Sequence, residues 1–195
     1  MNSFGGIFCI NLLKRDDRRR QVLKDLSDFP LELVPAVDPS EIIDSRREYS
    51  PPVRACIESH IKTLQLYLER NTEKPALVFE DDAFPKVDKI VSEVASTMVF
   101  APKKWTLILL GYGPLVSVKP INHRVGFPLG SDGSHAYLIS KLGAKRLLPL
   151  LDSTREPFDV QLHKLLGKSL LATTRVLFGQ RAGFSDIQLI EKVEY

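Results

Sequence analysis

The sequence predicts an α/β protein, a single domain over residues 1–195 in which helices cover a mostly parallel central sheet. Two observations carry that reading. Short unbroken apolar runs recur along the chain, and the segments between them repeat their apolar residues at intervals of three and four. A third observation places the working edge. The run Ala76-Leu77-Val78-Phe79 ends in three consecutive carboxylates, Glu80, Asp81 and Asp82. In an open parallel sheet, the carboxyl ends of the strands face the ligand crevice.

The first element is Gly6 to Asn11, whose continuous apolar character marks a strand buried on both faces. A charged turn follows, then a helix through about Ser27 with Val22, Leu23, Leu26 and Phe29 at helical spacing. Leu31 to Val34 reads as the next strand, completing a βαβ unit. Ala36 to Pro52 is polar and proline-bounded, a loop with at most a helical turn around Glu41 to Ser45. Val53 to Arg70 is the strongest helix, with Val53, Ile57, Ile61, Leu64 and Leu68 in one stripe and Cys56 and His60 beside it.

After the acidic strand, Val87 to Met98 reads as a helix and Trp105 to Leu110 as a buried strand closed by Gly111-Tyr112-Gly113-Pro114. Val116 to Gly133 has no clear period and is a hairpin or an ordered loop. His135 to Ile139 is a strand, Ser140 caps a helix through Leu151, and Pro157 opens a helix containing Asp159, Leu162, Leu165 and Leu166. A last strand near Leu170 to Phe178 leads into a polar tail.

Composition limits the function classes. With 44% hydrophobic and 26% charged residues the chain is an ordinary globular one, and its 195 residues suffice for one good-sized core. A net charge of +3 is too small by itself to argue for nucleic acid as partner. The basic run Lys14 to Arg20, interrupted by Asp16 and Asp17, reads as a solvated helix face, so no nucleic acid is expected. Cys9 and Cys56 both lie in apolar contexts, which points to buried thiols in a reducing, cytoplasmic compartment. The amino terminus lacks the apolar core of a signal peptide, and no stretch approaches a membrane span.

The acidic triplet is the centre of the chemistry. Three adjacent carboxylates repel one another and call for a counter-charge, such as a divalent cation, unless they form a solvated loop tip. Along an extended segment Glu80 and Asp82 point to one side and Asp81 to the other.

Several separated segments together resemble glycosyltransferase family 25, the lipooligosaccharide and procollagen galactosyltransferases. They are Ile10-Asn11-Leu12 followed by Arg15 and Arg18; Pro35-Ala36-Val37-Asp38; Cys56-Ile57-Glu58-Ser59-His60; and Phe79-Glu80-Asp81-Asp82. Downstream, Trp105 with Leu109 to Gly111, Ser134 to Ser140, Gly143-Ala144-Lys145 and Pro157-Phe158-Asp159 fall in the family's order. Ala55 stands where the family commonly has glycine, and the chain is short for the family. The resemblance implies a GT-A type nucleotide-diphospho-sugar transferase fold, a UDP-galactose or UDP-glucose donor, and Mn2+ or Mg2+ held by the acidic motif.

The chemistry that the resemblance implies assigns roles. A hard cation bridging the oxygens of a departing diphosphate acts as a Lewis acid. Asp82 is the expected direct ligand, with Glu80 or Asp81 reaching the cation through water or binding the donor's ribose. Arg15 and Arg18 are either phosphate or base contacts or surface salt bridges. Asn11 binds the base or caps its own turn. Ser59 and His60 face the nucleotide, or His60 packs beside the apolar stripe. Inverting transfer to a glycan or protein hydroxyl needs a base, and the Pro-x-Asp of the resemblance nominates Asp159; the alternative is a first-turn helix acid. His135 is a further metal or diphosphate contact or a core histidine. Two other functions compete: a binding module for sugar nucleotides or glycans without turnover, and a nucleotide hydrolase, although no Walker-type phosphate loop is present.

Overall fold

The computed structural model describes residues 3–43, 50–184 and 191–192. Its strands through the first 173 positions are β1 (Gly6–Asn11), β2 (Glu32–Pro35), β3 (Ala76–Glu80), β4 (Ala83–Pro85), β5 (Leu107–Gly111), β6 (Ser117–Pro120), β7 (Val125–Leu129), β8 (Ala136–Ile139) and β9 (Leu170–Thr173). All but β4 join an eight-stranded sheet, in the order β2-β1-β3-β8-β5-β9-β7-β6, that forms the middle of an α/β sandwich. β1 pairs parallel with β2 and β3, and β5 pairs parallel with β9. β8 is antiparallel to both β3 and β5, and β7 is antiparallel to both β9 and β6. Those pairings leave β8 and β7 reversed while the remaining strands run one way, which makes the mixed sheet mostly parallel in direction.

Period-two alternation explains why these strands read as continuous apolar runs. Phe8 and Ile10 of β1, Val78 of β3, Tyr137 and Ile139 of β8 and Leu109 of β5 enter the core on one face. Their neighbours Ile7, Cys9, Leu77, Phe79, Leu138 and Ile108 enter the core on the other. Helices α2 (Pro51–Glu69), α4 (Lys141–Leu147) and α5 (Phe158–Leu166) cover the first face through Ile57, Leu64, Tyr67, Leu147, Phe158 and Leu162. Helices α1 (Asp16–Asp25) and α3 (Ile90–Phe100) cover the second through Val22, Ile90 and Val94. A sheet buried on both sides has no polar face to present, so every inner strand must be apolar throughout. Truncating a fully buried ring such as Phe79 removes about 3–5 kcal/mol from such a core.

Local chemistry sets the ends of the elements. Pro51 and Pro52 occupy the first turn of α2, where the missing N–H costs nothing. Ser140 caps α4 by accepting from the Gly143 N–H at 3.0 Å. The aperiodic region after Val116 is the hairpin β6–β7. Its turn is held by Asn122, whose Oδ1 accepts from the N–H groups of Arg124 and Val125. Pro128 lies past the Val125 and Gly126 rungs that β7 shares with β9, so its missing donor breaks no ladder on that side.

Several boundaries differ from the sequence reading, among them the end of α4 at Leu147 and the start of β5 at Leu107. The last strand is two: β9 ends at Thr173, and β10 (Phe178–Gln180) leaves the main sheet to pair antiparallel with β4. The chain between them carries exposed Arg175, which breaks the apolar run. The helix expected from Val87 begins at Ile90, preceded by Lys89 at a φ of 53°. The helical turn expected at Glu41 to Ser45 falls earlier, at Pro39–Glu41, because Asp38 accepts from the Ser40 N–H and caps it. Ser45 lies outside the described residues. Within the tail, β11 (Gly183–Phe184) pairs antiparallel with β12 (Glu191–Lys192), and residues 185–190 and 193–195 lie outside the described residues.

Candidate active site

The cleft opens where β1 and β3 end, because these parallel neighbours stop side by side and α2 crosses in front of them. Ile10 of β1 is in register with Glu80 of β3, and Asn11 with Pro35 of β2. The backbone turns at Asp81 and Asp82, so strict alternation ends at Glu80 and each acid takes its own direction.

Asp81 turns back toward β1 and α1. Its Oδ2 accepts from the Asn11 carboxamide at 2.7 Å, and its Oδ1 accepts from Arg18 Nη1 at 2.9 Å. Asn11 also donates to the Arg15 carbonyl at 3.3 Å, closing its own turn. Asp82 is held from two sides: Arg18 Nη1 stands 3.4 Å from its Oδ2, and the Gln180 amide donates to the same oxygen at 3.1 Å. The backbone N–H of Arg181 donates to the Asp82 carbonyl at 2.8 Å. The side chain of Arg181 pairs with Asp25 and lies 5.0 Å over the Phe84 ring, which fixes the end of β10 against the acidic turn.

The electrostatics follow from this packing. Asp81 and Asp82 are buried, and burial pushes the Asp81 carboxyl above its usual range against the opposing pull of Arg18 and Asn11. Burial alone would lower the Arg18 pKa, but the charges of Asp82 and Asp81 outweigh it and hold the guanidinium firmly protonated. Cys9 lies beneath the turn, and burial together with the charges of Asp81, Asp82 and Glu80 pushes its thiol far up, leaving it inert. Part of the counter-charge that the triplet demands is thus supplied by Arg18.

Glu80 meets His60 of α2. The imidazole Nε2 lies 3.6 Å from Glu80 Oε1, and Nδ1 lies 3.0 Å from the Tyr137 hydroxyl. His60 is buried and stacks on Phe158 at 3.9 Å between ring centres. Ser59 is spent on architecture: its hydroxyl donates to the Ala55 carbonyl at 2.6 Å and accepts from the Val37 N–H at 2.9 Å. That second bond fixes the segment after β2 as a wall of the cleft.

The cleft encloses about 630 Å³, counted out to its open mouth. Arg18, Ser59, His60, Glu80, Asp81 and Asp82 line its polar end, and Ile10, Leu12, Ala36, Val37, Pro39, Pro52 and Ala55 line an apolar slot. Asn11 stands behind Asp81. Of the remaining candidates, Arg15 grips the exposed Asp17 through two bonds of 3.0 and 2.8 Å and does not line the cleft. His135 is wholly buried, its Nε2 2.9 Å from the Phe178 carbonyl, and a methyl group on Gly111 would collide with its ring. Asp159 also lies off the cleft lining: Oδ2 accepts from the Gly133 N–H at 2.9 Å and Oδ1 from the Val160 N–H at 3.0 Å. Gly133 has a φ of 80°, so this carboxylate tethers a loop only glycine forms easily.

The residues that sequence reasoning passed over are Gln180, Arg181 and Tyr137. Gln180 ends an otherwise apolar run and its amide is buried in the fold, but nothing in the sequence marks it as a partner of Asp82.

The donor set admits a hard divalent cation on one condition. Asp81 is tied to Asn11 and Arg18 through both oxygens. Glu80 and Asp82 would be the carboxylates to meet a cation, Asp82 by exchanging part of its hold on Arg18 and Gln180. Among the described residues no group of three His, Cys, Asp or Glu side chains could hold a metal ion unaided. A cation bound there would complete its shell with diphosphate and water, which is the usual pattern for Mg2+ and suits other oxygen-seeking ions.

The chain matches no protein-family model and no curated protein sequence. Its fold is similar to that of a glycosyltransferase involved in the glycosylation of the major capsid of PBCV-1, with a TM-score of 0.58 and 10% identity over 92% of this chain and 93% of that one. It is also similar to A197 from STIV, with a TM-score of 0.51 and 12% identity over 96% and 92% of the two chains. At such identities the likeness concerns the fold. Among the described residues no helix is long and apolar enough to cross a membrane.

Proposed function

We propose that this protein is a divalent-metal-dependent hexosyltransferase of the family 25 type, moving galactose or glucose from a UDP-sugar to a hydroxyl of a glycan or protein. The observation that carries this reading is the division of labour within the acidic turn. Glu80, Asp81 and Asp82 all line the cleft beside an apolar slot. Asp81, however, is tied through both oxygens to Asn11 and Arg18, whereas Asp82 shares one oxygen between Arg18 and Gln180 and Glu80 faces His60. The likeness of fold to a capsid glycosyltransferase supports it.

In this reading the slot between Ile10, Val37 and Pro52 takes the flat nucleobase, and the acidic end meets the diphosphate. Two anions facing each other require a cation, and Mn2+ or Mg2+ held by Asp82 and Glu80 would supply Lewis-acid stabilisation of the leaving diphosphate. Arg18 offsets the charge of Asp81 and Asp82 and keeps their oxygens oriented when no donor is bound. The acceptor oxygen attacks the anomeric carbon, the bond from that carbon to the diphosphate oxygen breaks, and the acceptor proton passes to a carboxylate. We assign that last role to Asp159. It follows Phe158, which stacks on the cleft residue His60, and its Gly133 tether would have to loosen as the acceptor docks. Cys9 and Cys56, neither in a disulfide, suit work in the reducing cytoplasm.

A second reading, a sugar-nucleotide-binding module without turnover, is favoured by one observation: the Asp159 carboxylate is occupied by two backbone N–H groups away from the cleft. Incubating the protein with a panel of nucleotide sugars and Mn2+, and reading out released nucleotide with and without glycan acceptors, separates the two. Metal-dependent release from a UDP-hexose supports the transferase. UDP binding with no release from any donor leaves the module.

A further inference from the structure

We infer that Tyr137 and His60 form a positioning relay that sets the Glu80 carboxylate in the cleft, and that His60 serves Glu80 rather than the nucleotide. The inference rests on the proposed role of Glu80 at the metal-diphosphate end of the site.

The His60 ring, at the cleft wall, is held by Phe158, Tyr137 and Glu80. His60 is 1% exposed, Tyr137 is wholly buried and Phe158 is 2% exposed. The imidazole lies flat on Phe158 with 7° between the planes and tilts against Tyr137 at 5.7 Å. Both ring nitrogens therefore have fixed neighbours: Nδ1 faces the Tyr137 hydroxyl at 3.0 Å, and Nε2 faces Glu80 Oε1 at 3.6 Å.

A neutral imidazole carries one hydrogen, and the two arrangements are not equal. With the hydrogen on Nδ1, the Nε2 lone pair would face an anionic carboxylate in a water-poor setting, which is repulsive. With the hydrogen on Nε2, the N–H dipole meets the carboxylate and the Tyr137 hydroxyl donates to Nδ1. Burial suits that assignment for the phenol as well, because it pushes the Tyr137 hydroxyl far above its ordinary range and keeps its proton for donation. At 3.6 Å the His60–Glu80 contact is longer than a formed hydrogen bond, a spacing common in ligand-free sites. A donor standing behind a carboxylate in this way would orient it toward a metal bound there.

Two measurements test the relay separately from the proposed activity. Long-range 1H–15N correlation spectra of the protein report the His60 tautomer directly. The expected state is Nε2–H in the wild type, with loss of that preference in Tyr137→Phe and in Glu80→Gln. An Nδ1–H ring in the wild type, or a tautomer indifferent to both substitutions, overturns the relay whatever the enzyme does. Calorimetry with UDP then reads the consequence. Tyr137→Phe should weaken the Mn2+-dependent gain in UDP affinity about tenfold, and add nothing in a Glu80→Gln background. Losses that add independently in the double variant mean a merely structural phenol and contradict the proposal. If wild-type protein shows no UDP binding, the transferase reading fails while the tautomer spectra still decide the relay.

Discussion

Arg18 and Asp81 stand 63 positions apart in the chain and meet through a 2.9 Å hydrogen bond between the first turn of α1 and the acidic turn after β3. Both side chains are largely removed from water, the Arg18 side chain 18% and the Asp81 side chain 9% exposed. The pair joins the first helix to the strand that delivers the acids. Its removal should be felt in stability before it is felt in binding.

Arg18→Met leaves two buried carboxylates without their guanidinium. Breaking one side of a buried pair costs about 3–5 kcal/mol, and the urea midpoint should fall accordingly. Added Mn2+ should restore part of the loss if Asp82 holds the ion, because a ligand that binds only the folded state raises its stability. A midpoint unchanged from wild type would show that the pair contributes nothing to holding the turn.

Gln180→Leu removes the amide that steadies Asp82 from β10 while keeping a side chain of similar bulk. The expected result is weaker Mn2+-dependent UDP binding, by about tenfold, with metal-free UDP binding unchanged. Calorimetry in the presence and absence of the ion reads the difference. Equal losses with and without Mn2+ would place Gln180 in general packing.

Lys141 is a buried lysine whose ammonium donates to the carbonyls of Tyr67, Leu68 and Arg70, at 2.9, 2.9 and 2.7 Å, and so closes the carboxyl end of α2. Carbonyls at a helix's last turn lack the donors that the next turn would have brought. Lys141→Met should cost about 2–3 kcal/mol through the lost charged hydrogen bonds. Chemical denaturation should show it, with UDP affinity intact because the cleft lies at the other end of α2. Reduced UDP affinity in a folded variant would mean that the helix end and the cleft are coupled.

Asp159→Asn keeps an amide oxygen for the Gly133 N–H while removing the basic carboxylate. As the proposed base, it should lose about a hundredfold or more in transfer rate with UDP affinity nearly unchanged. A variant that transfers at full speed confines Asp159 to its loop.

Acid sensitivity has a separate source. The Arg15 hydrogen bond, the main cause, holds the Asp17 carboxyl down at about 2. Because the folded value lies below the unfolded one, the stabilisation is complete above about pH 4 and fades as pH falls toward 2. Asp17 is exposed, so the effect stays below about 1 kcal/mol. Asp17→Asn should flatten the stability profile over that window, and a slope equal to wild type would show the pair to be silent.

Much of this architecture was legible because the physics is local. A strand buried on both faces must be apolar throughout, so β1, β3, β5 and β8 stand out, and Ser140 announces the start of α4 through its own capping bond. What escaped depends on distant partners. The Gln180–Asp82 bond spans 98 positions and His60–Tyr137 spans 77, and neither residue type carries a local signature for such a contact. Mutual repulsion among Glu80, Asp81 and Asp82 does demand a counter-charge, but nothing local distinguishes one arginine of the basic run Lys14 to Arg20 from its surface neighbours. Only the closed fold brings Arg18 to Asp81 and Asp82.

The most direct test of the central claim is a calorimetric titration of UDP into wild-type protein and Asp82→Ala, each with and without Mn2+. Mn2+ should strengthen UDP binding to the wild type by about tenfold or more, and Asp82→Ala, still folded, should show no such gain. Wild-type affinity indifferent to the ion, or a gain that survives in Asp82→Ala, would contradict the claim that the acidic turn binds diphosphate through a cation.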